Sequence, residues 1–274
     1  MAADIPVIKI GCCINMTSKT ASGIGEENIP LFARLGYDYL ELPLAQLMDL
    51  SDNEFKAVKK TAADCGISVE ACNNFFPASH RLTGANADHK RALEYARAAL
   101  SRAAELGAEV VVLGSSGAKN IPEGFPTEEA EKQFIDLLGN INVIAAPLGI
   151  DIVIEPLNKT ESNFVNSVAE GLVIARAVNK SNIRLLADYY HMRMEDEPMS
   201  DIVEAGDMMR HTHIAAKEGR LFPAAGDGED YAAFAGALRS IGYSGRVSIE
   251  GYTTGSLETA AAEGFALMRK VLNP

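Results

Sequence analysis

A pattern that recurs five times constrains the fold of this 274-residue chain more than any other feature. A helical stretch ends in an apolar residue followed by glycine, and a short run of strand-forming residues comes next. The glycines of the five copies are Gly36, Gly66, Gly107, Gly149 and Gly242. Glycine just past a helix adopts the left-handed conformation that ends the helix and turns the chain. Each copy therefore predicts a corner that leads from a helix into a strand.

These corners and three further apolar runs predict eight strands. The strands lie at 7–13, 39–42, 68–71, 110–113, 152–154, 183–188, 211–215 and 247–249, and helical periodicity lies between them at 87–106, 127–146, 168–178, 231–241 and 257–272. Most of the strands are continuously apolar, which is typical of parallel strands buried on both faces. Strict alternation of strand and helix predicts an α/β fold, a (β/α)8 TIM barrel that forms one domain over residues 1–274. A doubly wound open sheet is the alternative, but its phosphate-binding glycine fingerprint does not follow the first strand.

Charge and cysteine content exclude several classes of protein. The chain has 25 Lys and Arg against 37 Asp and Glu, and the net charge of -12 has the wrong sign for non-specific binding to nucleic acid. The 4 cysteines show no Cys-x-x-Cys spacing, so neither a disulfide framework nor a zinc knuckle is indicated. No signal peptide or membrane span is visible in the sequence. We therefore expect a cytoplasmic protein that binds neither nucleic acid nor membranes.

Four successive strands in the second half of the chain carry groups that can bind a metal ion or move a proton. Glu155, Asp188 and Glu250 each follow an apolar run, and His213 lies in the strand at 211–215. In a barrel of this class, the chemistry takes place at the C-terminal ends of the strands. Carboxylates in such a place lose hydration, and a cation is the usual compensation. Carboxylate and imidazole ligands together suit Mn²⁺, Mg²⁺ or a similar divalent ion, and we expect no cysteine to compete for it.

Three other polar residues in the strands receive no catalytic role. Glu41 and Glu70 also follow apolar residues, but a single acidic residue near a loop is more often on the surface. His211 either supports His213 or packs in the core, and we favour packing.

Several motifs resemble those of the sugar isomerases and epimerases of the xylose-isomerase-like superfamily, and among these the ketose 3-epimerases that act on D-tagatose and D-psicose. The motifs are the run IEPLNKTESN at 154–163, the run DYYHM at 188–192, the pair His211-x-His213, and Glu250. The resemblance implies one bound Mn²⁺, with Mg²⁺, Co²⁺ or Zn²⁺ as alternatives, whose ligands are Glu155, Asp188, His213 and Glu250. It also implies that Glu161, His191 and Arg220 hold the sugar and that the protein is a homo-oligomer, a dimer or a tetramer.

The chain departs from this family in two respects. The segment that leads from His213 to Arg220 is one residue longer than in the family and lacks its Gly-Glu pair. The chain also has no tryptophan, although the family commonly lines the sugar pocket with aromatic residues that include it. The aromatic residues that could replace it are Phe75, Phe76, Tyr189, Tyr190, Phe222 and Tyr252.

These groups suit the inversion of carbon 3 of a free ketose. The reaction removes a proton from one face of the carbon and returns a proton to the other face, through an enediolate whose charge a cation stabilises. We assign the two proton transfers to Glu155 and Glu250, because they end two different strands and approach the sugar from different directions.

Four other functions stay open at this stage. An aldose-ketose isomerase uses the same enediolate. A sugar-phosphate isomerase would need a phosphate site, for which the run GSSGAK at 114–119, or Lys217 and Arg220, could serve. A nuclease like endonuclease IV resembles the chain at several of these positions, but the histidines that its further metal ions need are absent where strand three runs into Asn73 and where Gly228 follows Asp227. A non-catalytic carbohydrate-binding or partner-binding barrel is the fourth.

Overall fold

The computed structural model describes residues 7–274, and these form a closed barrel of eight parallel strands in sequence order. Each strand pairs with the next, and the last strand pairs with the first to close the sheet. The strands are β1 (Lys9–Cys13), β2 (Tyr39–Pro43), β3 (Ser68–Asn73), β4 (Val110–Leu113), β5 (Asp151–Ile154), β6 (Ile183–Asp188), β7 (Met209–Ile214) and β8 (Arg246–Ile249). The predicted TIM barrel is confirmed. That one domain spans 1–274 stays a prediction, and residues 1–6 lie outside the described part of the chain.

Helices cover the outside of the barrel. They are α1 (Ile29–Leu35), α2 (Leu44–Asp49), α3 (Asp52–Asp64), α4 (His89–Leu106), α5 (Ser116–Lys119), α6 (Thr127–Ala145), α7 (Val168–Val178), α8 (Tyr189–Met194), α9 (Ser200–Ala205), α10 (Tyr231–Ser240) and α11 (Leu257–Leu272). Single 3-10 turns lie at Ile14–Thr17, Glu26–Asn28, Ala146–Leu148, Gly206–Met208 and Glu218–Arg220. Within residues 7–274, no helix combines the length and the apolar content that crossing a membrane requires.

The corners between helices and strands form as predicted. All five recurring glycines have positive φ angles, between 67° and 90°. The corner from α7 to β6 uses Asn179 instead, with φ 49°, and therefore escaped the glycine pattern. Asparagine is one of the few residues besides glycine that adopts this conformation readily, because its side chain can form local hydrogen bonds.

The core consists of two layers. A large layer lies between the strands and the helices, and a small layer fills the inside of the barrel with Tyr39, Ala71, Val110, Val112, Val153 and Leu186. Side chains in a strand alternate between its two faces. The residues two positions after those of the small layer therefore also face the barrel interior. Those residues include Glu41, Asn73, Glu155 and Asp188. The alternation of side chains along the strands thus places polar groups directly above the small apolar layer.

Candidate active site

Four of the predicted site residues meet at the C-terminal end of the barrel. Glu155, Asp188, His213 and Glu250 are buried, and each offers a ligand atom within 4.8 Å of the others. The Nδ1 atom of His213 lies 3.0 Å from Glu155 Oε1 and 3.2 Å from Glu250 Oε2. Three carboxylates therefore surround one ring nitrogen, an arrangement that can take up a cation.

The three carboxylates differ in their electrostatic surroundings. Burial alone would raise the pKa of Glu250, but the positive charges of His213 and Arg220 outweigh it and lower this pKa to about 2. Burial raises the pKa of Asp188 to about 7, and it also raises the pKa of Glu155 above its usual range. The site thus holds one carboxylate that stays ionised and two that resist ionisation.

Arg220 reaches the carboxylates from the loop after β7. Its Nη2 atom lies 2.5 Å from Glu250 Oε2 and 3.6 Å from Asp188 Oδ2, and its Nη1 atom lies 3.5 Å from Glu161 Oε1. Gly219 and Arg220 both have positive φ angles, 67° and 50°. Two consecutive left-handed residues turn the chain back towards the barrel, and a non-glycine residue in this conformation is strained, as is common at functional sites. The loop that departs from the family pattern still brings Arg220 into the site.

His191 directs a proton donor into the same space. The backbone N–H of Asn158 donates to His191 Nδ1 at 3.2 Å, and its side-chain amide lies 2.8 Å from the same nitrogen. Because Nδ1 accepts a hydrogen bond, the proton of the neutral ring is on Nε2, 3.4 Å from Asp188 Oδ2. The Asn158 amide also donates to Glu161 Oε1 at 3.1 Å. Asn158 thus positions two of the three predicted sugar-holding residues. The sequence analysis gave Asn158 no role, although this residue lies within the motif at 154–163.

The residues present fit a divalent ion. Asp188 Oδ2, an oxygen of one of the proposed ligands, is buried and forms no hydrogen bond. Oxygen and imidazole donors are the ligands that Mn²⁺ and similar ions accept. A Cβ atom on Gly114 would lie 2.0 Å from Glu155 Oε2, so glycine at this position leaves the room that the carboxylate occupies.

The interpretation of Glu41 as a surface residue is wrong. Its side chain is fully buried and accepts hydrogen bonds from Ser248 Oγ at 2.6 Å, His211 Nε2 at 2.7 Å and His213 Nε2 at 3.0 Å. Burial opposes the ionisation of Glu41, but the two imidazoles outweigh it and hold its pKa well below the usual range. His211 is thus part of a polar network and not merely packed. The signal was the strand alternation, since Glu41 shares the face of Tyr39 while Leu40 and Leu42 face the helices.

Glu70 is not a free surface carboxylate either. Its oxygens lie 2.7 Å from Lys9 Nζ and 2.6 Å from Arg246 Nε, and its side chain is only 13% exposed. This ion-pair cluster does not touch the four residues of the candidate metal site.

One cysteine does lie beside the site, contrary to expectation. Cys13 Sγ is 3.8 Å from His213 Nε2. Burial raises the pKa of this thiol well above its usual range, so it stays protonated. Since the thiolate is the form that binds metals, Cys13 competes poorly with the carboxylates.

The run GSSGAK does not form an open phosphate cradle. Lys119 is fully buried, and its Nζ atom donates to the backbone carbonyl of Glu155 at 3.0 Å. Burial lowers the pKa of this lysine to about 8. Lys217 points away towards Asp196, with 3.5 Å between the charged atoms. Neither lysine is therefore placed as a free cation for a phosphate group.

The aromatic residues divide between the core and the loops around the site. Phe75 and Tyr189 are almost fully buried, and Tyr189 packs against Tyr231 and Phe234. Tyr190 instead stacks on Arg220, with 4.7 Å from the guanidinium carbon to the ring centre. Tyr252 is half exposed, and its N–H donates to the Arg220 carbonyl at 2.7 Å. Of these four, only the last two lie beside a predicted sugar-holding residue.

The opposite pKa shifts of Asp188 and Glu250 predict opposite effects on stability in the metal-free protein. A raised carboxyl pKa contributes stability that is present below pH about 4 and is lost as pH rises through about 7. In chelator at pH 8, Asp188→Asn should therefore melt roughly a few degrees above the parent protein. Asparagine keeps the oxygen that accepts from the Tyr190 N–H at 2.8 Å.

A lowered pKa contributes stability that is present above pH about 4 and is lost as pH falls through about 2. Glu250→Gln should accordingly melt below the parent protein at pH 8. The measurement is thermal melting of the two variants in chelator between pH 5 and 8. If both variants melted above the parent protein, or both below it, the charge states assigned to Asp188 and Glu250 would be wrong.

Comparison with known proteins shows the family of the chain and finds sugar epimerases among the proteins that it is similar to. A family model described as xylose isomerase-like TIM barrel matches residues 29–271. D-Psicose 3-epimerase of Agrobacterium fabrum (strain C58) is 28% identical over 224 residues, which are 80% of this chain and 76% of that protein. 3-Dehydro-D-guloside 4-epimerase of Escherichia coli (strain K12) is 25% identical over 82% of this chain and 86% of that protein.

A solved structure of D-psicose 3-epimerase with D-tagatose, from Clostridium cellulolyticum H10, superposes with a TM-score of 0.86 at 21% identity. The superposition covers 97% of this chain and 100% of the epimerase chain. At 21% identity, this likeness supports the fold alone. The resemblance predicted from the motifs is confirmed, and with it the prediction of an enzyme of the isomerase class.

Proposed function

The chain belongs to the xylose isomerase-like TIM barrel family, and on that premise we propose that it is a metal-dependent epimerase that inverts carbon 3 of a free ketose. The observation that carries the proposal is the position of Glu155 and Glu250. Both carboxylates lie within 3.2 Å of the same His213 nitrogen, and they approach it from two different strands, β5 and β8, which are three places apart around the barrel. A sugar bound over this nitrogen would meet one carboxylate on each face.

The two carboxylates are suited to opposite halves of the reaction. In the metal-free protein Glu250 is held ionised, whereas Glu155 has a raised pKa. We therefore assign removal of the proton of carbon 3 to Glu250 and return of a proton on the other face to Glu155. In the reverse direction the two residues exchange these roles. Replacement of the proton on the opposite face of the enediolate yields the other epimer.

The remaining predicted residues hold the sugar. His191 Nε2–H and the Arg220 guanidinium are donors for sugar oxygens, and Glu161 accepts from a hydroxyl group. Arg220 also partly neutralises Glu250 and Glu161, so the acidic site tolerates the charge that develops on the substrate. A divalent ion held by Glu155, Asp188, His213 and Glu250 would stabilise negative charge on the sugar oxygens during proton removal. We propose Mn²⁺ as this ion, with Mg²⁺, Co²⁺ or Zn²⁺ as alternatives.

An unphosphorylated substrate fits the charges best. The site has four carboxylates, Glu155, Glu161, Asp188 and Glu250, and its one arginine already pairs with the last three of them. A phosphate group would add negative charge without a free cation to receive it. A nuclease would need further metal centres, yet the candidate metal groups in residues 7–274 all share His213.

The setting of the enzyme follows from the same proposal. We place it in carbohydrate metabolism in the cytoplasm, which agrees with 4 free cysteines and a net charge of -12. We also propose that it is a dimer or tetramer, which light scattering at defined protein concentrations can test.

The proposal predicts where a solvent proton enters the substrate. A panel of free ketohexoses and ketopentoses, incubated in deuterated water with Mn²⁺, should gain deuterium at carbon 3 as the 3-epimer forms. NMR of each product identifies the labelled carbon, and the same reaction in excess chelator is the control.

Other labelling patterns would point to other functions. Deuterium at carbon 1 or 2 together with an aldose product would indicate an isomerase, and label at carbon 4 would indicate a 4-epimerase. The absence of exchange with every ketose, in metal-loaded protein, would contradict the enzymatic proposal and favour a carbohydrate-binding barrel.

A further inference from the structure

We propose that Glu41 is a positioning residue for the candidate metal site, where it fixes which nitrogen of His213 faces the carboxylates. The inference rests on the proposed function, because it takes His213 as a metal ligand. Glu41 lies on β2, outside the motifs that carry the family resemblance. It touches none of Glu155, Asp188 and Glu250 in a hydrogen bond, and it acts through the imidazole of His213.

The contacts of Glu41 form a closed set. Oε1 accepts from His213 Nε2 at 3.0 Å, and Oε2 accepts from His211 Nε2 at 2.7 Å and from Ser248 Oγ at 2.6 Å. The Ser248 hydroxyl in turn lies 2.7 Å from Tyr39 OH. All five side chains are fully buried. Neither carboxylate oxygen can turn away without the loss of a hydrogen bond.

This set determines the proton positions on His213. An ionised carboxylate only accepts hydrogen bonds, so Nε2 of His213 must carry a proton. A histidine that binds a metal ion is neutral, and its lone pair is then on Nδ1, the atom that lies 3.0 Å from Glu155 and 3.2 Å from Glu250. A carboxylate behind a ligating histidine is a recurrent way to fix the tautomer and the orientation of the ring. Glu41 therefore directs the lone pair at the place where an ion would bind.

A purely structural role explains the partners of Glu41 poorly. Glu70 on β3, a glutamate outside the candidate metal site, pairs with Lys9 and Arg246 at the opposite end of the barrel. Glu41 has no lysine or arginine partner among the described residues, and it lies above the small apolar layer that includes Tyr39 and Ala71. A buried carboxylate is costly without partners, and the partners of Glu41 are two imidazoles, one of which is a proposed metal ligand. The contacts of Glu41 therefore point to a task at those imidazoles.

The test is Glu41→Gln, with Glu70→Gln as the matched control. A glutamine presents one oxygen and one NH2 group, so either His213 or His211 must face a donor and change its tautomer or rotate. The Mn²⁺ affinity of metal-free protein, measured by competition with a chromophoric chelator, should fall roughly 10- to 100-fold in Glu41→Gln. Glu70→Gln makes the same chemical change and should lower the melting temperature without a change in Mn²⁺ affinity.

A second readout follows the histidine directly. Nitrogen NMR of the Zn²⁺-loaded parent should show His213 protonated on Nε2, and Glu41→Gln should alter this signal while Glu70→Gln leaves it unchanged. If Glu41→Gln does not fold, Ser248→Ala removes one donor to the carboxylate and should weaken Mn²⁺ binding by roughly 5-fold.

Each failure has a separate meaning. Parent-like Mn²⁺ affinity in Glu41→Gln, or in Ser248→Ala if that variant has to replace it, overturns the role of Glu41 and leaves the proposed function intact. An equal loss in Glu70→Gln also overturns it, because the effect would then be one of general stability. Two Mn²⁺ ions bound per chain would make Glu41 a ligand and overturn its positioning role. A parent protein that binds no divalent ion overturns the metal site of the proposed function and this inference with it.

Discussion

Replacement of either Glu155 or Glu250 with glutamine should reduce net epimerisation at carbon 3 by roughly 10³-fold. Inversion needs one proton-transferring group on each face of the sugar, and the amide of glutamine can neither accept nor donate the proton. The loss should therefore be similar in the two directions of the reaction. The measurement is the rate of interconversion of the two epimers with Mn²⁺ at saturation, so that a weakened affinity for the ion does not limit the rate.

Solvent exchange separates this mechanism from a general loss of structure. With one carboxylate left, the remaining residue can still remove and return a proton on its own face, so each single variant should exchange deuterium into one epimer only. Glu258→Gln is the control, since this exposed carboxylate pairs with Arg34 on the surface and should keep the parent rate. Full epimerase turnover in Glu155→Gln, or deuterium found only at carbon 1, would refute the assignment in favour of an isomerase.

Gly114→Ala should reduce turnover by about 10²-fold or more, although residue 114 has no chemical role. The added Cβ would lie 2.0 Å from Glu155 Oε2 and 3.1 Å from Glu155 Cδ, so the carboxylate has to move. A displacement of about 1 Å at a reacting group is enough for an effect of this size. We expect weaker Mn²⁺ binding in the same variant, because Glu155 is also a proposed ligand.

The fold should survive this substitution. Gly114 is not among the glycines with positive φ, so alanine can adopt its backbone conformation. Gly139→Ala on α6 is the matched control, because nothing lies within 4 Å of its added Cβ atom, and it should leave turnover unchanged. Parent-like turnover and Mn²⁺ affinity in Gly114→Ala would show that Glu155 does not need its present position.

The architecture of the protein could be predicted from the sequence because the features that determine it are local. A glycine after a helix, an apolar run of four residues and the alternation between them each involve neighbours in the chain. The same holds for the ends of the strands, where Glu155, Asp188 and Glu250 directly follow apolar runs. Errors at this level are small. For example, β1 begins at Lys9 rather than at residue 7, and the corner at Asn179 lacks the expected glycine.

The partners of the polar residues were decided only by the tertiary structure. Glu41 and His213 are 172 positions apart and meet because closure of the sheet points both side chains into the same barrel interior. Lys119 likewise belongs to a run that the sequence offered as a phosphate site, yet its ammonium group is buried against the Glu155 carbonyl instead of facing solvent. Local patterns state which face of a strand a side chain occupies, but closure of the sheet determines which side chains meet inside it. Whether a buried carboxylate is ionised, protonated or paired depends on the side chains that it contacts there. The sequence could therefore indicate the site but not its charge states.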